Sequence, residues 1–459
     1  MGRRTAWWRS RVAVVGAVLS AVAGASGAPA LAASPSPSAS FSPSSTTASS
    51  YVFAAGAPSV KGTVSTGDAE LLEPGTTYRS SLPSEGKVYY RLDLDNTSSV
   101  YVAATAVPPR DTPVTATEGV RVTVLDADGR FCSAPDTATI GAGRSPRPLT
   151  AWGARTLPSK RSLCRGAGTY YVAVERVLRT ESVSGDWDLE LAPVLEPRLR
   201  QTGSTSEAPE SWDSATPSPP GGGAVPVRGG GGFGSATALE QGVWRDDLRP
   251  GQTLFYEVPV GWGQQVYATA EISSAEAGAG GVSGKGLVPG AVNLALYNPV
   301  RGLVDDTSIS YSGSQRSGAL PAVPPVGYDN RYAVSGRVSG MRFAGAYYLV
   351  VHLAARVGEE FGDGPLGLTL RVRVKGEPEG GPGYAGESEP AGLFQAGLGD
   401  SSGDGAAPGD GGGGVSGSGH GHGGVGMKVA AFGGIGAGTL VLGVLGVWVV
   451  VGRRRAAGV

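Results

Sequence analysis

Histidine, methionine and cysteine are scarce in this 459-residue chain, with 3, 3 and 2 copies. Lysine stands only at Lys61, Lys87, Lys160, Lys285, Lys375 and Lys428. His420 and His422 sit in a glycine tract, so His352 is the one imidazole available to a folded segment, and no spacing suggests a Ser-His-Asp arrangement. The formal charge is -1, which excludes an electrostatic footprint for nucleic acid or an anionic membrane surface. No convincing helical stripe occurs outside the two terminal apolar segments, and no LPxTG-like pentapeptide precedes Met427. Arginine in place of lysine, with heavy Gly, Ala and Pro usage, fits a GC-rich bacterial genome of actinobacterial type.

What is present begins with the termini. Arg3, Arg4, Arg9 and Arg11 precede an uncharged run from Val12 to Gly27, followed by small-residue steps ending at Ala32 and Ala33. This pattern predicts a signal peptide over 1–33. At the other end, Val429 to Val451 carries no charge, and a helix of that length crosses a hydrocarbon core of about 30 Å. Arg453, Arg454 and Arg455 follow, so a transmembrane helix over 427–451 is expected to leave the basic tail 452–459 in the cytoplasm and the bulk of the chain outside. A sorting tail removed after export is the alternative. Ala430, Gly434 and Gly438 recur every four residues and would let two such helices approach as a homodimer. Against this, Gly433, Gly436, Gly443 and Gly446 scatter glycine round the same helix.

Composition divides the interior. Residues 34–50 are a Ser/Pro-rich arm, 198–234 a Pro/Gly linker and 377–426 a glycine-rich stalk, all predicted to be flexible. The segments between, 51–197 and 235–376, repeat one another. Tyr78-Arg79-Ser80-Ser81-Leu82 reads against Trp244-Arg245-Asp246-Asp247-Leu248, Val88-Tyr89-Tyr90 against Leu254-Phe255-Tyr256, and Val100-Tyr101 against Val266-Tyr267. Val120 to Val124 answers Val292 to Leu296, Gly168-Thr169-Tyr170-Tyr171 answers Gly345-Ala346-Tyr347-Tyr348, and Asp188 to Leu191 answers Gly367 to Leu370. These blocks are short, β-branched or aromatic, and several alternate with period two, so the expected fold is all-β: two antiparallel β-sandwich domains in tandem, plus the C-terminal helix. Export places Cys132 and Cys164 where a disulfide persists, and closing that loop would restrict the unfolded chain by about 4 kcal/mol. Two separate buried thiols are the alternative.

The recurring order of a Lys-Val-Tyr-Tyr strand, a Val-Tyr-Val-Ala strand, a strand ending in Asp-Ala-Asp-Gly and a Gly-Thr-Tyr-Tyr-Val strand resembles bacterial pre-peptidase C-terminal domains. The resemblance implies jelly-roll-like sandwiches that accompany secreted peptidases and serve binding, secretion or stability. No peptidase module accompanies them here.

Candidate sites follow from residue type. Trp262, in a predicted hairpin tip, and Trp152, inside the span between the cysteines, could stack on a sugar ring or dock a protein, or could fold back on their own sheets. Trp187 and Trp244 fall in strands and read as core. Asp126 and Asp128, with Asp186, are candidate calcium ligands, although an Asp-Gly turn accounts for 126–129 without a metal, and no cofactor is expected. Gly281 to Gly286 imitates a phosphate loop but has Ala279 where its first glycine belongs and Gly286 where a hydroxyl should stand. These features favour a non-catalytic surface protein that binds an envelope protein or a cell-wall glycan. The alternative is an extracytoplasmic hydrolase, or an accessory subunit of one, using an acidic pair such as Asp186 and Asp188.

Overall fold

The computed structural model describes residues 51–157, 164–177, 185–201, 207–209, 211–275 and 286–395. The signal peptide, the Ser/Pro arm, the phosphate-loop imitation at 281–285, His420, His422, the anchor helix with Ala430, Gly434 and Gly438, and the basic tail lie outside the described residues. Among the described residues no helix is long and apolar enough to cross a membrane.

Eight strands build the first copy: β1 (Tyr78–Leu82), β2 (Lys87–Leu94), β3 (Ser99–Val107), β4 (Gly119–Asp126), β5 (Asp136–Thr139), β6 (Leu149–Arg155), β7 (Gly168–Val177) and β8 (Trp187–Glu196). The second copy is preceded by two short edge pairings, β9 (Val225–Pro226) and β10 (Thr237–Ala238). It then has β11 (Gly242–Leu248), β12 (Thr253–Val260), β13 (Gln265–Ile272), β14 (Val288–Tyr297), β15 (Leu303–Tyr311), β16 (Arg316–Ala319), β17 (Gly345–Leu353) and β18 (Leu366–Lys375). Two one-turn helices interrupt it, α1 (Gly336–Gly340) and α2 (Arg356–Phe361).

The first copy stacks the sheet β1-β8-β3-β6 on the sheet β2-β7-β4-β5. The second stacks β16-β13-β18-β11-β9 on β10-β12-β17-β14-β15. Adding ten to each strand number of the first copy gives the sheet order of the second, so the repeat seen in the residues is a repeat of topology. Equivalent side chains keep equivalent bonds. The Tyr90 hydroxyl meets Ser80 Oγ at 2.7 Å, and its counterpart Tyr256 donates to Asp246 Oδ2 at 2.8 Å. Tyr170 donates to the Gly166 carbonyl at 2.7 Å, and its counterpart Tyr347 to the Phe343 carbonyl, also at 2.7 Å. Both of these late strands begin on a glycine with positive φ, 151° at Gly168 and 141° at Gly345, a backbone that a side chain would strain.

Each core follows the period-two pattern. Val120, Val122 and Val124 are fully buried on β4, as are Leu368 and Val372 on β18, and each such side chain contributes about 1.5–3 kcal/mol by leaving water. Trp187 is core as its strand position predicts, whereas Trp244 is partly buried, with Nε1 donating to the Glu240 carbonyl at 3.0 Å. Cys132 and Cys164 are joined in a disulfide.

The flexible linker expected over 198–234 does not leave the two sandwiches apart. The described residues belong to one compact unit, because the outer face of β1-β8-β3-β6 is covered by the outer face of β10-β12-β17-β14-β15. Two apolar clusters cross this boundary. One gathers Tyr51, Val107, Phe233, Phe255, Tyr297 and Tyr348; the other gathers Tyr101, Val194, Val300, Phe343 and Phe394. The segments that composition marks as flexible also carry packed stretches. Val225 pairs with Trp244, the Pro220 carbonyl accepts from Arg371, and Asp213 pairs with Lys375 at 2.6 Å. From the glycine-rich segment after Lys375, Glu389 bridges to Leu195, and Tyr384 and Phe394 enter the second cluster. Aromatic residues spaced through the glycine supply the apolar area that glycine lacks.

Candidate functional site

The boundary between the copies is held by two buried carboxylates of β8. Glu190 accepts from the Tyr51 hydroxyl at 2.8 Å, the Ala54 amide at 2.9 Å and Arg301 at 2.7 Å. Glu196 accepts from Tyr101 at 2.8 Å, Tyr384 at 2.9 Å and Arg331, whose two terminal nitrogens lie 2.7 and 3.3 Å from its oxygens. Burial alone would raise the Glu196 carboxyl, but the Arg331 charge and the converging donors outweigh it and hold its pKa below the ordinary value of 4.5. Both arginines come from the second copy, so each ion pair ties one sandwich to the other.

Beside this seam the two walls part and leave a cleft of about 290 Å³. The first copy contributes Thr139 at the end of β5 and, from the turn after it, Gly143 and Arg147; the second contributes Asn293 and Tyr297 of β14, Leu303, Asp306 and Ser308 of β15, and His352 of β17. A close backbone approach closes one side. A Cβ on Gly143 would lie 2.6 Å from the Gly290 carbonyl oxygen, and Gly290 itself has φ +61° at the β14 bulge.

Polar groups in the cleft are tied to its walls. Arg147 donates to the Thr139 carbonyl at 3.1 Å and the Ile140 carbonyl at 3.4 Å, and it reaches the Tyr297 hydroxyl. Asn293 Nδ2 donates to Asp306 Oδ2 at 2.7 Å. His352 is buried, its Nδ1 meets the Thr253 hydroxyl at 2.9 Å, and its Nε2 has no hydrogen-bond partner. Burial, with the Arg147 charge adding to it, pushes the His352 pKa down to about 3, so the ring is neutral near pH 7.

The residues singled out in the sequence do not gather here. Trp152 lies in the seam, stacked on Tyr101 with ring centroids 5.6 Å apart and with the Arg342 guanidinium 5.3 Å from its centroid. Trp262 folds back over the second core and is covered by the Gly381 backbone. Asp126 Oδ1 accepts from the Asp128 and Arg130 amides at 3.0 and 2.8 Å, and Arg130 pairs with Asp128. Among the described residues no set of three His, Cys, Asp or Glu side chains is placed to hold a metal ion. Asp188 is exposed, and exposed Asp186 accepts from the Ser84 amide at 3.2 Å.

The seam and cleft were missed in the sequence, yet a signal was present. The strands Ser99–Val107 and Gly345–Leu353 are nearly continuous apolar runs, and all nine residues of the first are buried. Continuous runs mark strands covered on both faces, which an isolated sandwich does not provide.

No family model matches this chain, and no curated protein matches it. Among solved structures it is similar to the CUB1-EGF-CUB2 domain of human MASP-1/3, at 9% identity and TM-score 0.16, covering 65% of this chain and 99% of that one. It is also similar to the tandem CBM51 modules of a family 98 glycoside hydrolase from Streptococcus pneumoniae, at 10% identity and TM-score 0.17, covering 64% and 83%. The tandem CBM22 domain of Paenibacillus barcinonensis Xyn10C gives 9% identity and TM-score 0.18, covering 66% and 92%.

Proposed function

We propose that this chain is a non-catalytic binding or scaffold protein of the bacterial envelope. In this reading it is exported by its N-terminal signal, retained by its C-terminal helix, and presents two fused β-sandwiches outside the membrane. The composite cleft carries the reading: its walls come from both copies, and its polar groups are anchored to backbone and to one another. Hydrogen bonds fixed in this way suit recognition of a partner's shape. They do not suit acid–base catalysis by the cleft's imidazole, because a pKa of about 3 makes His352 a weak base and leaves it no proton to give near pH 7. The partner is an exported envelope protein or a cell-wall glycan.

The test is capture from solubilised envelope with the full chain, alongside binding to cell-wall glycan and turnover of peptidase and glycosidase substrates. Recovery of one partner class without turnover is the expected result. Turnover abolished by a point substitution would replace this reading with a hydrolase.

A further inference from the structure

The cleft's lining defines a ligand class, and this step rests on the binding reading above. Its charged side chains are one cation, Arg147, and one anion, Asp306, so the lining has no net charge when His352 is neutral. Arg147 is already engaged by two carbonyls and the Tyr297 hydroxyl, which leaves little of it for a phosphate or carboxylate. One carboxylate is too few for a hard cation. What remains is neutral and many-sided. Half-buried Asn293 and exposed Asp306, diagonal neighbours on adjacent strands, keep acceptor capacity beyond the bond between them, because an amide oxygen and a carboxylate each carry further lone pairs. The exposed hydroxyls of Ser308 and Thr139 stand at the same cleft, and Leu303 adds an apolar patch. A volume of about 290 Å³ lies at the small end of ligand pockets, which begin at roughly 300 Å³.

We propose that the cleft between the two sandwiches binds a neutral saccharide unit of one or two rings, with the Asp306 and Asn293 oxygens accepting from adjacent hydroxyls and Leu303 meeting the apolar face of a ring. A sugar matches this lining because each hydroxyl both donates and accepts, and because one ring face is largely C–H. The site is composite, so it exists only while the two copies stay docked.

The test is ligand-observed NMR on the full chain with methyl glycosides of glucose, galactose, N-acetylglucosamine and arabinose, with glucuronate and inorganic phosphate as charged probes. Asp306→Ala is expected to weaken the bound glycoside by about tenfold, the loss that accompanies one or two hydrogen bonds. Ser308→Trp, at an exposed position, should block the cleft without removing a structural contact, and thermal unfolding verifies that both variants stay folded. Glycoside binding that both folded variants retain would overturn the assignment to the cleft while leaving a glycan-binding protein. Binding of none of the glycosides, with a protein captured from the envelope, would overturn the saccharide and leave the broader function standing. Neither glycoside nor captured partner would overturn both. A response to phosphate or glucuronate alone would overturn the neutral class.

Discussion

Arg155 illustrates how a single residue organises the disulfide region. It is fully buried, and its guanidinium donates to the carbonyls of Ser98 at 2.6 Å, Gly166 at 2.8 Å and Cys164 at 3.1 Å, and also to that of Asp95. A planar fork of five N–H groups can span four carbonyls in this way, whereas an ammonium cannot. Arg155→Lys is therefore expected to cost about 3 kcal/mol, read from chemical denaturation, even though the charge is kept. His352 makes a prediction of opposite kind. Its folded pKa is depressed from 6.5 to about 3, so the unfolded chain binds the extra proton between those values. The stability it contributes is fully present above pH 6.5 and is lost as pH falls toward 3. Replacing it with a residue that does not titrate, His352→Gln, should flatten the stability–pH curve within that window. A curve of unchanged slope would mean that the ring is hydrated and titrates normally.

At the scale of elements, the turn between β5 and β6 and the bulge of β14 form a close backbone contact across the seam. Gly143→Val must push them apart, because no rotamer removes a Cβ that would stand 2.6 Å from the Gly290 carbonyl oxygen. Hydrogen exchange should rise in 137–147 and in the strands β14 and β15, and should stay unchanged in β2 and β11, which lie away from the cleft. Unaltered exchange at 137–147 would show that the contact is not tight. Strand identity and the repeat were legible in the chain because period two and turn residues are local patterns, and the disulfide because Cys132 and Cys164 are the two cysteines of a sequence that begins like an exported one. The seam's ion pairs were not, because Arg301 is 111 residues from Glu190 and Arg331 is 135 from Glu196, and a charged side chain in a strand reads locally as solvent-facing. Tyr384 and Phe394 were hidden for another reason. Glycine-rich composition predicts flexibility as an average, and two aromatics suffice to reverse it locally.

For the whole molecule, the consequence is that two repeats joined by a linker behave as one body at neutral pH. Removing Arg331 leaves the Glu196 carboxylate buried without its paired cation, with the Tyr101 and Tyr384 hydroxyls and the charge of Arg342, not bonded to it, left to oppose desolvation, and losing one member of a buried pair costs about 3–5 kcal/mol. Arg331→Ala should therefore split the unfolding of the full chain into two calorimetric transitions, one for each sandwich. The same separation should be reached by acid. Because the Glu196 pKa is lowered in the folded state, its contribution is fully present above 4.5 and is lost as pH falls below that value. Cooperativity of the native chain should accordingly fail below pH 4.5, while Glu196→Gln, which carries no charge to lose, should be less cooperative at neutral pH and insensitive to acid through this group. If the native chain and Arg331→Ala both unfold in one transition of the same width, the apolar clusters around Phe233 and Phe343 hold the sandwiches together without the ion pair.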